Sequence, residues 1–174
     1  MPKSGLIVVD MLNDFIRNDG KLYVQGSEKI VKAIRDKLDV YRNNYAPVIF
    51  LCDQHDKDDK EFDRFPPHAI GGTDGSLIIE ELGFQQGPLE RAIGKTRFSG
   101  FFNTPLESVL KTFDVKVWEV CGVCTSICIM DTVGGLANLD YKTILDTKCV
   151  ADLPIGIEEA SIKRMKTIYD TTII

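Results

Sequence analysis

Three of the five cysteines fall within thirteen residues, in the run VCGVCTSICIMDT at positions 120–132. A glycine marks the turn out of an apolar run, and small residues open what reads as a helix with Cys128 in its first turn. Backbone N–H groups free at a helix start, together with the positive end of the helix dipole, lower the pKa of a thiol and can also receive an oxyanion. Cys124 competes with Cys128 for the part of nucleophile on spacing alone, whereas Cys121 and Cys149 lie on strand-like runs and read as inert core. The triplet Cys121, Cys124 and Cys128 is also compatible with half of a zinc or iron–sulfur site. No second cluster of Cys and His stands near it in sequence, so an active-site turn is the preferred reading.

Both histidines of the chain lie in one segment, CDQHDKDDKEFDRFPPHAIGGTDG. Asp53 and His55 are two residues apart, a spacing that on extended chain points both side chains to one side, where carboxylate and imidazole can share a divalent ion. His68 follows in the same segment, and Glu61 can complete the set. Asp56, Asp58, Asp59, Glu61 and Asp63 offer the competing reading of a solvated acidic loop, but the concentration of the only two histidines here favours the metal. Mixed nitrogen and oxygen ligands do not choose between zinc, manganese and iron. Asp10 sits where an apolar strand empties into its loop, which partly desolvates a carboxylate and suits a general base as readily as a turn residue. Lys95, in GKTRF, reads by itself as surface charge.

The elements that must position these groups alternate as β-α-β units. Strands are expected at Gly5–Asp10, Ala46–Cys52, Val115–Val120 and Tyr141–Leu145. Helices are expected at Ser27–Tyr41 (with Ser27 as the cap), Pro105–Thr112, Thr125–Leu139 and Gly156–Tyr169, with a short helix or strand pair near Leu77–Glu90. Near-continuous apolar strands joined by helices predict an α/β fold, three-layer α-β-α with a mostly parallel central sheet. Ligands of such sheets bind outside the carboxyl ends of the strands. Asp10, the Asp53/His55 pair and the 121–128 segment would therefore share one rim, under cover of the long loop from Asp56 to Pro67.

The chain has 174 residues, 21 Lys plus Arg against 26 Asp plus Glu, and a net charge of −5, which suits one domain spanning 1–174. The scattered, mildly acidic charge gives no footprint for nucleic acid or an anionic membrane. The apolar run Leu6–Val9, preceded by Lys3, is too short for a signal peptide's core, and no stretch has the length of a membrane span. An odd number of cysteines, most of them in apolar runs, fits free thiols in a reducing cytoplasm.

Read together, these pieces resemble the isochorismatase-like cysteine hydrolases, and among them the nicotinamidase/pyrazinamidase branch. VVDMLNDF is similar to that family's opening VVDxQNDF, DQH…FPPH to its metal segment, GKTRFSGFFNTPL to its Lys motif and GVCTSICIMDT to its GxxTDxCVxxT turn, in the same order from residue 6 to about 150. The resemblance implies Cys128 as nucleophile, Asp10 as general acid/base and Lys95 as third member of a triad. It implies Asp53, His55 and His68 as ligands of one divalent metal, zinc first and manganese or iron after it, with Glu61 matching an acidic ligand of part of the branch. Phe15 and Phe65 would sandwich a pyridine ring, the Val123–Cys124 peptide would be cis, and the N–H groups of Cys124 and Cys128 would form the oxyanion hole. The implied reaction hydrolyses nicotinamide to nicotinic acid and ammonia through a Cys thioester, in a cytoplasmic enzyme that forms a homo-oligomer. Rival readings are a relative acting on an N-carbamoyl or ureido amide, an isochorismatase, which needs no cysteine, and a non-catalytic thiol- or metal-binding protein. Ser126 in place of the usual Asp, Cys124 in place of a small residue and Gly134–Gly135 in place of an Ala-rich stretch depart from the family pattern.

Overall fold

β1 (Ser4–Val9) is buried along its apolar run because both faces of the strand are covered. Leu6 and Val8 join one core and Ile7 and Val9 the other, the period-two alternation of a strand inside a sheet. β2 (Val48–Asp53) repeats the pattern, with Phe50 on one side and Ile49 and Leu51 on the other. The computed structural model describes residues 4–174, and Lys3 lies outside the described residues. Its sheet has six strands in the order β3-β2-β1-β4-β5-β6, every neighbouring pair parallel, where β3 is Glu90–Lys95, β4 Val117–Val123, β5 Lys142–Ala151 and β6 Thr172–Ile173.

After the short α1 (Asn13–Ile16), α2 (Glu28–Asn43) lays Ile30, Ile34, Leu38 and Tyr41 on the Leu6/Val8 face. α3 (Leu106–Leu110), α4 (Met130–Asn138) and α5 (Glu158–Ile168) cover the other face through Leu106, Val133, Leu136 and Met165. The result is the three-layer α/β arrangement expected from the strand and helix rhythm.

Several expected elements differ in detail. Ser27 stands at the cap position of α2 but does not cap it: its backbone is already helical, and its hydroxyl donates to the Phe15 carbonyl at 3.2 Å. The segment near Leu77–Glu90 is no strand pair; its short helix is a single 3-10 turn at Glu80–Leu82. Lys95 lies on no loose approach: it ends β3, an edge strand whose exposed positions interrupt the apolar pattern. β5 runs on past Leu145 through an irregularity opposite Cys121, where polar residues face outward. No helix among the described residues is long and apolar enough to cross a membrane.

Candidate functional site

The carboxyl ends of β1, β2, β3 and β4 bring four expected side chains together. Asp10 follows β1 in a left-handed backbone conformation (φ 50°), and its Oδ1 accepts the Asp53 N–H at 2.8 Å. In-register pairing sets Asp53, the last residue of β2, beside Lys95, the last residue of β3. The Lys95 ammonium, wholly buried, lies 2.7 Å from Asp10 Oδ2, 2.5 Å from Asp53 Oδ1 and 3.4 Å from Cys128 Sγ. One ligand atom each from Asp10, Asp53 and Cys128 fall within 4.8 Å of one another.

Cys128 reaches this cluster from a turn with unusual winding. β4 ends at Val123, the Val123–Cys124 peptide is cis, and Thr125–Ile129 forms a π-helical turn in which the Ile129 N–H bonds back to the Cys124 carbonyl at 3.1 Å. π-turns of this kind recur at functional sites. Gly122 permits the turn, since at φ 114° a Cβ there would stand 2.0 Å from the Val9 carbonyl oxygen. Cys121 and Cys149 are buried in the core, and burial pushes both thiols up, which fits inert core residues.

Burial shapes the charges. It lifts the Asp10 carboxyl to about 6, helped by the Asp53 charge and opposed by Lys95. Burial would raise Asp53 as well, but the Lys95 ammonium and His55 hold it below the usual range. Lys95 is pushed well up: desolvation works against its charge, yet Asp10, Asp53 and Cys128 outweigh it. Burial raises the Cys128 thiol well above its ordinary value, with Lys95 alone pulling the other way. Two carboxylates facing one ammonium resist a further anion, and the sulfur lies beside a carboxylate raised toward the range of a proton acceptor.

The second cluster adjoins the first through Asp53. Asp53, His55, Glu61 and His68 are all buried, and one ligand atom from each lies within 4.8 Å of the others. His55 Nε2 is 3.6 Å from Asp53 Oδ2 and 3.9 Å from Glu61 Oε1, and His68 Nε2 is 3.9 Å from both carboxylates. His55 Nε2 and Glu61 Oε2 are buried with no hydrogen-bond partner, a costly state that a shared cation relieves. Two imidazoles and two carboxylates suit zinc, manganese or iron. Burial and the neighbouring Asp53 push the Glu61 carboxyl up, and burial pushes the His68 ring down, so cation-free ligands sit in a mutually uncomfortable site.

The loops that hold these ligands are tied to the scaffold. Asp14 in α1 accepts the Ala69 N–H at 2.8 Å, fixing the residue after His68, whose Nδ1 lies 2.7 Å from the Pro66 carbonyl. Residues 53–55 and 69–71 are joined by the His55 N–H to the Ala69 carbonyl (3.0 Å) and the Gly71 N–H to the His55 carbonyl (2.9 Å).

Between the clusters lies a cleft lined by Phe15, Phe65 and the thiol-bearing turn. The sequence reading missed Leu22, Phe98, Val123, Ile127 and Leu153, which complete its apolar wall. Phe98, three residues beyond Lys95, was within reach of the Lys motif; Leu22 and Leu153 carry no sequence signal of their own.

Residues 4–173 match the family model of the Isochorismatase domain. A protein of Arabidopsis thaliana named as a probable inactive nicotinamidase is 32% identical over 175 residues, covering 95% of this chain and 89% of that one. The crystal structure of nicotinamidase/pyrazinamidase PncA from Bacillus subtilis superposes with a TM-score of 0.92 at 27% identity, covering 98% of both chains. N-carbamoylsarcosine amidase from Thermoplasma acidophilum superposes with a TM-score of 0.88 at 27% identity, covering 98% of this chain and 95% of that one.

Proposed function

This chain belongs to the isochorismatase family of hydrolases, and we propose that within it the protein is an amidohydrolase converting nicotinamide to nicotinic acid and ammonia. The observation that carries this reading is the cleft: aromatic and aliphatic walls, a thiol with its carboxylate and ammonium at one side, and paired imidazoles and carboxylates at the other. A flat, neutral heteroaromatic amide matches it. An N-carbamoyl amino acid adds a carboxylate to a cleft already lined by those of Asp10, Asp53 and Glu61.

In this mechanism Asp10 accepts the Cys128 proton as Sγ attacks the carboxamide carbon. The C=O π electrons move onto oxygen, and the N–H groups of Cys124 and Cys128 receive the oxyanion, each such donor being worth on the order of 3 kcal/mol. Asp10 hands its proton to the departing nitrogen, the C–N bond breaks and ammonia leaves a Cys128 thioester. Asp10 then takes a proton from water, whose oxygen displaces Sγ to give nicotinic acid, and the proton returns to the thiol. Lys95 holds Asp10 in place and offsets the negative charge that passes through the site. A divalent ion held by Asp53, His55, Glu61 and His68, zinc before manganese or iron, would supply a Lewis acid for the ring nitrogen. Phe15 and Phe65 stack on the ring. Five buried free thiols support a reading of the enzyme as one of a reducing cytoplasm.

The test is ammonia release from nicotinamide by the purified protein and by Cys128→Ala. Turnover in the wild type and its loss in the variant, with nicotinamide binding retained, is the expected result. Hydrolysis that survives the substitution would overturn the nucleophile assignment, and ammonia from ureido compounds but not nicotinamide would move the substrate to the carbamoyl amides.

A further inference from the structure

Asp59 stands apart from the rest of the acidic loop. Asp56, Asp58 and Asp63 are exposed to solvent, but the Asp59 side chain is only 7% exposed. It is held from three directions: Oδ2 lies 3.1 Å from His55 Nδ1, Oδ1 accepts the Glu61 N–H at 2.8 Å, and Arg97 Nη1 contacts both oxygens at 2.8 and 3.0 Å. Those contacts converge on two of the four residues of the imidazole and carboxylate cluster. Arg97 in turn lies two residues beyond Lys95.

A carboxylate can only accept hydrogen bonds, so a neutral His55 facing it must carry its hydrogen on Nδ1. That leaves the Nε2 lone pair directed into the cluster, where the atom is buried and without a hydrogen-bond partner. The other carboxylate oxygen caps the 3-10 turn Lys60–Asp63 that carries Glu61. Arg97 offsets the charge of Asp59 and ties the loop to the segment leaving β3.

We infer that Asp59 is the positioning residue of the metal centre, fixing the His55 tautomer through Nδ1 and seating Glu61 through its backbone N–H, while Arg97 clamps it to the segment bearing Lys95. This inference rests on the metal-binding reading of Asp53, His55, Glu61 and His68. His68 supplies an internal control, because its Nδ1 faces the Pro66 carbonyl and not Asp59.

The experiment compares wild type and Asp59→Ala by Zn2+ affinity, measured in competition with a chelating dye. It adds ring-nitrogen NMR of the 15N-histidine-labelled, Zn2+-free protein at about pH 9, above the ordinary imidazole range. With only two histidines in the chain, each ring reports separately. The expected result is a ~10–100-fold loss of Zn2+ affinity, the size seen when such supporting partners are removed. The Nδ1–H preference of His55 should be lost and that of His68 kept. If Asp59→Ala does not fold, Asp59→Asn serves, since its single acceptor oxygen cannot satisfy both His55 and the Glu61 N–H. Zn2+ affinity and His55 tautomer unchanged in the folded variant would overturn the inference, whatever the variant does to the melting temperature. A wild type that takes up no Zn2+ would overturn the metal-binding reading and this inference with it, an outcome distinct from equal binding by wild type and variant.

Discussion

Asp10→Asn is expected to abolish turnover and, at alkaline pH, to stabilise the fold. Asp10 is buried at 1% exposure, and its Oδ1 accepts the Asp53 N–H, a bond the amide oxygen of Asn can keep. What Asn removes is a charge the site disfavours, because burial first and Asp53 second lift this carboxyl from 3.8 to about 6 against the pull of Lys95. A displacement of that size between unfolded and folded chain corresponds to ~3 kcal/mol. Its sign follows from proton binding. Between 3.8 and about 6 the folded state holds the Asp10 proton while the unfolded state has released it, so stability falls as pH rises through that window. The whole cost is present above about 6 and absent below 3.8. Urea unfolding in the presence of a chelator measures it. With a slope of ~2 kcal/mol per molar, Asp10→Asn should unfold ~1.5 M later than wild type near pH 8, the two converging toward about pH 4. A variant less stable than wild type at pH 8, or a difference that ignores pH, would refute the claim that Asp10 is a desolvated, function-bearing carboxylate.

Lys95→Met removes the cation shared by Asp10 and Asp53, which lie 2.7 and 2.5 Å from it. Leaving these buried carboxylates without it should cost about 3–5 kcal/mol near neutral pH, read as a lower urea midpoint, and a shift smaller than about 0.5 M would contradict Lys95 as their compensating charge. Gly122→Ala forces a Cβ to 2.0 Å from the Val9 carbonyl oxygen at φ 114°, where β4 pairs with β1. Its expected cost is about 3 kcal/mol or more, seen as a depressed melting temperature together with lost activity, and a variant melting within about 2 °C of wild type would show that the turn tolerates a side chain.

The sheet and most of its helices could be read from the chain because β1, β2 and β4 are buried on both faces and are rich in apolar residues, with only Glu119 interrupting the run in β4. β3 could not, since an edge strand shows polar positions to solvent, and so Lys95 looked like surface charge although it ends a strand wholly inside the protein. β6, two residues long, is too short to leave a period. The residue types of the site were legible from rarity and spacing, but its electrostatics were not. The upward push on the Cys128 thiol comes first from burial and then from the carboxylates that share Lys95, which are set by tertiary packing and strand register and not by local sequence. Asp59 was hidden for a related reason: five acidic residues crowd that loop, and only the fold shows that Asp59 turns inward along with Glu61.

Asp53 shows why the two clusters act as one. Its Oδ1 takes the Lys95 ammonium at 2.5 Å, its Oδ2 faces the two imidazoles at 3.6 and 3.9 Å, and its N–H supports Asp10. Charge added on the imidazole side must therefore be felt at Asp10, since Asp53 is the strongest influence raising the Asp10 carboxyl after burial itself. A cation shared by Asp53 would weaken that repulsion and draw the Asp10 pKa down from about 6, shifting the acid limb of any Asp10-dependent rate to lower pH. The same neutralisation would ease the resistance of the site to an anionic sulfur, to whose raised pKa Asp53 also contributes. A single carboxylate at the end of β2, set by its register with β3, thus links how strongly the second cluster holds a cation to how readily Cys128 gives up its proton.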